Sequence, residues 1–178
     1  MKKIGQGIGF MFALLYLAWY KLLRAGLGER RAFISISEEV SKFPGWGGIY
    51  ARQAFYKRVL DHVGDDVYFG FLSLFSKRQA RIGDRAYIGR FCSIGWADIG
   101  DDAMLADGVQ ILSGRHQHGE GDEQHFEKVT IGNKAWIGAG AIVMADVGAG
   151  AIVGAGAVVV KPVAAGAKVG GVPARTLE

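Results

Sequence analysis

Three of the four histidines, His116, His118 and His125, fall in one polar stretch that opens Ile111-Leu112-Ser113-Gly114-Arg115-His116-Gln117-His118. An unperturbed imidazole titrates near pH 6.5, so close to neutrality it is available as a proton acceptor. The His-x-His pair with His125 also permits a metal, histidine being a common zinc ligand. Two features oppose that reading: His116 and His118 sit within one loop, and Arg115 beside them repels a cation. Glu120, Asp122, Glu123 and Glu127 make the stretch acidic. They serve as solubilising charge, or one of them orients His116 through its other ring nitrogen. No serine stands in a triad context, so nothing calls for a covalent acyl-enzyme.

The scaffold that must hold these residues is written in the flanking sequence. An aliphatic or aromatic residue recurs about every six positions: Val63, Phe69, Phe75, Ile82, Ile88, Ile94, Ile99, Leu105, Ile111, then Ile131, Ile137, Val143, Val147, Val153 and Val159. Glycine commonly follows it, and four places on stands a small or modest residue such as Ala86, Cys92, Ala103, Ala135 or Ala151. A period of six fits neither a helix nor one long strand; each unit reads as a short strand plus a corner. The following glycine is expected to supply corner angles that a Cβ would forbid. Stacked coils would bury large and small residues on one inward face. Three starts to a coil make five coils, interrupted once at about 116–128. The repeats before Ile99 and Val147 are one and two residues short, which leaves the register of the last two coils open.

The units I-G-D-R-A-Y, I-G-R-F-C-S, I-G-N-K-A-W, I-G-A-G-A-I and V-G-A-G-A-V, with the ending Gly171-Val172-Pro173-Ala174-Arg175, resemble the hexapeptide-repeat acyltransferases, and among them the sugar and polysaccharide O-acetyltransferases. The resemblance implies a mainly β fold, a left-handed parallel β-helix with an N-terminal helical extension, assembled as a homotrimer. It implies acetyl-CoA as co-substrate, no metal, and transfer of acetyl to a hydroxyl of a glycan or other small acceptor. His116 best matches the family's general base, with His118 the competing candidate. Trp136 and Arg115 are the expected acceptor-site residues, Trp136 lying beside the loop or covering subunit contacts. Coenzyme A is expected along a groove between subunits, against backbone at Ala139 and Ala155, with Lys161 and Arg175 meeting its phosphates. Two other readings remain open: a carbonic anhydrase-like zinc β-helix, and a non-enzymatic trimeric scaffold.

At 178 residues this reads as one folded unit with an extension: an apolar helix and linker at 1–31, a helical cap at 32–62, and the β-helix with a short tail at 63–178. The single cysteine excludes a disulfide framework, and a net charge of +4 without a concentrated basic stripe argues against nucleic acid. The segment Ile8 to Tyr20 is short for a membrane span, but Tyr16, Trp19 and Tyr20 beside Lys21 suit an interface. A helix on the inner leaflet, one packed on the protein body, and a signal peptide or span all compete, with a cytoplasmic location expected. Glu29 to Arg31 read as a linker, Ser35 or Ser37 as the cap of a helix ending before Pro44, and Trp46 to Leu60 as a second helix that covers the first coil. Arg52, Lys57 and Arg58 read as a solvated or membrane-facing charge cluster.

Overall fold

The computed structural model describes residues 2–113 and 127–177, with the side chains of 2–6 and 8 excepted. The fifteen aliphatic and aromatic residues of the sixfold repeat form three vertical columns. Val63, Ile82, Ile99, Ile131 and Val147 stack on one face of a prism (face A), joined at the end by Val163. Phe69, Ile88, Leu105, Ile137, Val153 and Val169 stack on face B. Phe75, Ile94, Ile111, Val143 and Val159 stack on face C. Strands of two or three residues pair in parallel between successive coils, and each column residue points inward. The small residues four places on, from Val67 and Ser73 to Ala151 and Ala157, fill the space between columns and are buried. Cys92 is one of them, and burial pushes its thiol up to about 11.

The corners are not equivalent. From A to B and from B to C the inward residues are always six apart, whereas from C to A the spacing runs seven, five, twenty, four and four. All length variation is thus absorbed at one edge, including the interruption after Ile111. The register beyond Val143 is unambiguous, because the shortened corner still brings Val147 onto Ile131.

Glycine's role differs from the expectation. The left-handed residue is the third after the inward one, at Asp66, Leu72, Arg85, Phe91, Asp102 and Lys134 as well as at Gly108, Gly140, Gly150 and Gly156. The glycine directly after the inward residue is required by close approach instead. A Cβ on Gly132 would lie 2.4 Å from the Ala149 nitrogen, and one on Gly83 would lie 2.6 Å from the Asp101 nitrogen. The stacking distance of the coils leaves no room for a side chain there.

Three helices precede the prism: α1 (Lys2–Leu27), α2 (Glu29–Ser41) and α3 (Gly45–Val59). Glu29 to Arg31 are the first turn of α2 rather than a linker, and only Gly28, at φ 79°, separates α1 from α2. Ser35 and Ser37 lie inside α2, so neither is its cap. Ser37 Oγ instead accepts from the Phe75 N–H at 3.0 Å and pairs with the Tyr56 hydroxyl at 2.9 Å.

Those bonds show how the first coil's open edge is closed. Its unpaired backbone groups would otherwise template another chain or stay buried without partners. Arg52 corrects the reading of a solvated charge cluster: it is 1% exposed and donates Nε to Phe69 O (3.1 Å) and Nη1 to Phe43 O (2.7 Å) and Ser41 O (3.2 Å). Burial lowers its pKa, the Tyr56 and Tyr68 hydroxyls opposing weakly. Gln53 Nε2 donates to Val67 O at 2.6 Å, and Ser41 O also accepts from Leu72 N at 2.9 Å. Lys57 pairs with Asp65, and Arg58 stacks on the Phe10 ring at 4.6 Å.

Candidate functional site

The interruption leaves the prism at the C–A edge of the third coil and returns at the same edge of the fourth. Arg115, His116, His118 and His125 lie outside the described residues, as do Glu120, Asp122 and Glu123. The roots of the loop are tied to the coils by hydrogen bonds. On the way out, Ser113 is buried and its Oγ accepts from the Trp96 N–H at 2.6 Å. On the way back, Lys128 Nζ meets Asp98 Oδ2 at 2.6 Å and Thr130 N donates to Asp146 Oδ1 at 2.7 Å. Asp98 Oδ1 is buried with no hydrogen-bond partner among the described residues. A loop anchored at both ends to rigid coils is a sound mount for a proton acceptor.

The other site residues are on coils and can be located. Trp136 projects from face B and is 52% exposed. Face B lies opposite the C–A edge, so within one chain Trp136 is not beside the roots of the histidine loop; the expected adjacency to the loop itself falls outside the described residues. Ala139 and Ala155 stand one above the other at the B–C edge, where Gly156 N donates to Ala139 O at 2.8 Å. Gly171 follows them at the next coil, and Arg175 pairs with Gly170 at the end of that column. Lys161 is exposed at the C–A corner of the fifth coil. Face C therefore separates Trp136, Ala139, Ala155 and Arg175 from Lys161 and the loop roots. Six residues of extended chain reach at most about 20 Å.

The stacked Gly-Ala-Gly corners have a physical consequence for binding. At several corners an Asp or Asn on the next coil accepts the equivalent backbone N–H: Asp65 N donates to Asp84 Oδ1 (2.8 Å), Asp84 N to Asp101 Oδ1 (2.8 Å) and Arg90 N to Asp107 Oδ1 (2.8 Å). Alanine at 139 and 155 ends that ladder at the B–C edge. Among the described residues, the N–H groups of Asp107 and Ala139 then have no protein acceptor. Methyl side chains leave these donors open to an extended ligand. The A–B edge has the same opening at Asn133 and Ala149, so open donors alone do not select an edge.

Sequence reading missed the outward neighbours of Trp136. Tyr68, Tyr87 and Met104 precede the inward residues Phe69, Ile88 and Leu105 and align in register below Trp136 on face B. The two tyrosine rings stack at 4.6 Å with their planes 4° apart, and Tyr87 and Met104 are exposed. The position just before each inward residue, read as a column, would have revealed them. Among the described residues no group of three His, Cys, Asp or Glu is placed to hold a metal.

Comparison with known proteins agrees with this architecture. The family model described as the hexapeptide repeat of succinyl-transferase matches residues 128–161. No curated protein matches the chain in sequence. Among solved structures, a maltose O-acetyltransferase from Clostridium difficile 630 is 22% identical, with 84% of this chain and 86% of that one covered and a TM-score of 0.74. A hexapeptide-repeat acetyltransferase from Vibrio cholerae O1 biovar eltor, complexed with acetyl coenzyme A, is 21% identical over 87% and 90% of the two chains, with a TM-score of 0.71. A galactoside acetyltransferase in complex with coenzyme A is 22% identical over 86% and 82%, with a TM-score of 0.72. The chain carries the hexapeptide repeat and shares the fold of these proteins.

Proposed function

We propose that this protein is an acetyl-CoA-dependent O-acetyltransferase that acts on a sugar hydroxyl of a glycan, glycolipid or nucleotide-linked precursor. The observation that carries the reading is the fold likeness to three acetyltransferases over more than four-fifths of both chains, two of them holding acetyl-CoA or coenzyme A. The open-donor column at Ala139 and Ala155, with Arg175 at its end, suits the amides and phosphates of such a donor.

In this reading His116 takes the proton from the acceptor hydroxyl while that oxygen attacks the thioester carbonyl carbon. The carbon–sulfur bond breaks, the proton passes to the departing thiolate, and the products are the acetyl ester and free coenzyme A. His118 is the alternative base, and Arg115 an acceptor contact. The separation of the loop roots from Trp136 by face C supports a composite site, in which the loop edge of one subunit faces the Trp136 side of another. Cyclic assembly brings unlike edges of identical chains together, and a trimer is the simplest closure for a three-sided prism.

The test is acetyl transfer by purified protein across a panel of sugars, read as free thiol released, with acceptor-free controls. Acceptor-dependent release that collapses in His116→Ala supports the reading. Failure to bind coenzyme A in calorimetry, together with no transfer, would leave a scaffold.

A further inference from the structure

Helix α1 has two apolar faces, and the protein covers only one. Gly9, Ala13 and Tyr20 are buried on the other helices: a Cβ on Gly9 would stand 2.2 Å from that of Tyr50, and the Tyr20 ring meets Phe55 edge-on at 6.3 Å. Phe12 packs on Phe43 with centroids 4.8 Å apart. The opposite face presents Met11, Leu14, Leu15, Trp19 and Leu22, between 46% and 72% exposed, with Phe10 at its margin beneath Arg58. The spacing from Met11 to Leu22 keeps them on one stripe about 16 Å long. An open apolar stripe of this extent marks a docking surface.

Charge identifies what docks. Residues 1–31 hold Lys2, Lys3, Lys21, Arg24, Arg30 and Arg31 against Glu29, a balance of +5, so the rest of the chain is −1 within the net +4. No acidic residue occurs in α1. A second copy of the same helix would set like charge against like, whereas an anionic bilayer meets both the cations and the apolar face. Trp19 beside Lys21 is suited to the headgroup boundary. Gly9–Leu27 is long and apolar enough to cross a membrane, but crossing would strip Gly9, Ala13 and Tyr20 from α2 and α3.

We propose that α1 is a membrane-docking helix that lies in the plane of an anionic phospholipid surface, inserting the stripe from Met11 to Leu22 while its other face stays on α3. This does not rest on the catalytic reading. The test is flotation of the full chain with vesicles of phosphatidylcholine alone or with 30% phosphatidylglycerol, a fraction of about 30% providing an anionic surface. Binding should need the anionic lipid and fall at high salt. Leu15→Glu with Leu22→Glu should weaken it by about a hundredfold, roughly tenfold per leucine kept in water. Circular dichroism and the melting temperature should be unchanged, since both side chains are solvent-facing. Lys21→Glu should weaken it by about tenfold. Lack of flotation by the wild type, or equal flotation of the double variant, would overturn the proposal. So would resistance to alkaline extraction, which means a span, and a smaller oligomer in light scattering of the double variant, which means a contact between copies.

Discussion

Replacing Arg52 by Met tests whether the helical cap is held on the β-helix by one buried cation. The guanidinium supplies the hydrogen bonds to Phe69 O and Phe43 O, while Ser41 O retains the Leu72 N–H at 2.9 Å. The buried Phe69 carbonyl and the half-buried Phe43 carbonyl would then lack this donor, at about 1–3 kcal/mol each with the second at the low end. Removing the charge recovers part of the cost of its burial, several kcal/mol per ion in an apolar site. Methionine fills most of the volume, so little cavity term is added. The net loss should be about 3 kcal/mol, or about 6–12 °C in melting temperature for a chain of this size. The control is Arg58→Met, which removes an exposed arginine stacked on Phe10 and should cost less than about 1 kcal/mol. Thermal unfolding by circular dichroism, paired with amide exchange in α3, separates the two: exchange should accelerate in α3 and at 67–75 only for Arg52→Met. Equal losses for both variants would refute the argument.

His116→Ala should lower acetyl transfer by about 10²- to 10⁴-fold with little change in coenzyme A affinity, checked by turnover and calorimetry on one preparation. Mixing His116→Ala with Trp136→Ala subunits should restore part of the activity each lacks, since a composite site regenerates one intact cleft; no rescue after verified subunit exchange would place both residues in the same chain's site. Gly138→Ala should destabilise by about 3 kcal/mol, because the Cβ would stand 2.5 Å from the Ala155 nitrogen. Gly140→Ala, with open space but φ at 67°, should cost about 1 kcal/mol; melting temperatures rank the pair. Burial raises the Cys92 thiol from 9.0 to about 11, so the native thiol should resist alkylation at pH 8 and react on unfolding. The corresponding stability is present below pH 9 and lost as pH rises toward 11, because only the unfolded chain releases the proton in that window.

The columns of the prism were legible in the chain because a sixfold repeat leaves each inward residue one possible neighbour, the equivalent residue a coil away. Val63, Ile82 and Ile99 could be matched by counting, and the small register at Ala86, Cys92 and Ala103 followed from the same count. The histidine loop was legible as the one long break in that count. What counting could not reach depends on three dimensions. Arg52 looks like any helix-surface arginine until α3 lies across the first coil and turns its guanidinium toward Phe69 O. Ser37 looks like a cap until α2 begins at Glu29. Gly83 looks like a turn residue until the Asp101 nitrogen is found 2.6 Å from its absent Cβ. Trp136 and Lys128, at the root of the loop, are close along the chain but belong to opposite sides of the prism, since each six-residue unit turns a corner and sequence distance around a coil says nothing of which face a side chain leaves. Local periodicity determined the coils; the contacts between coils, cap and edges were decided only when the chain closed on itself and backbone groups needed partners that no neighbouring residue could supply.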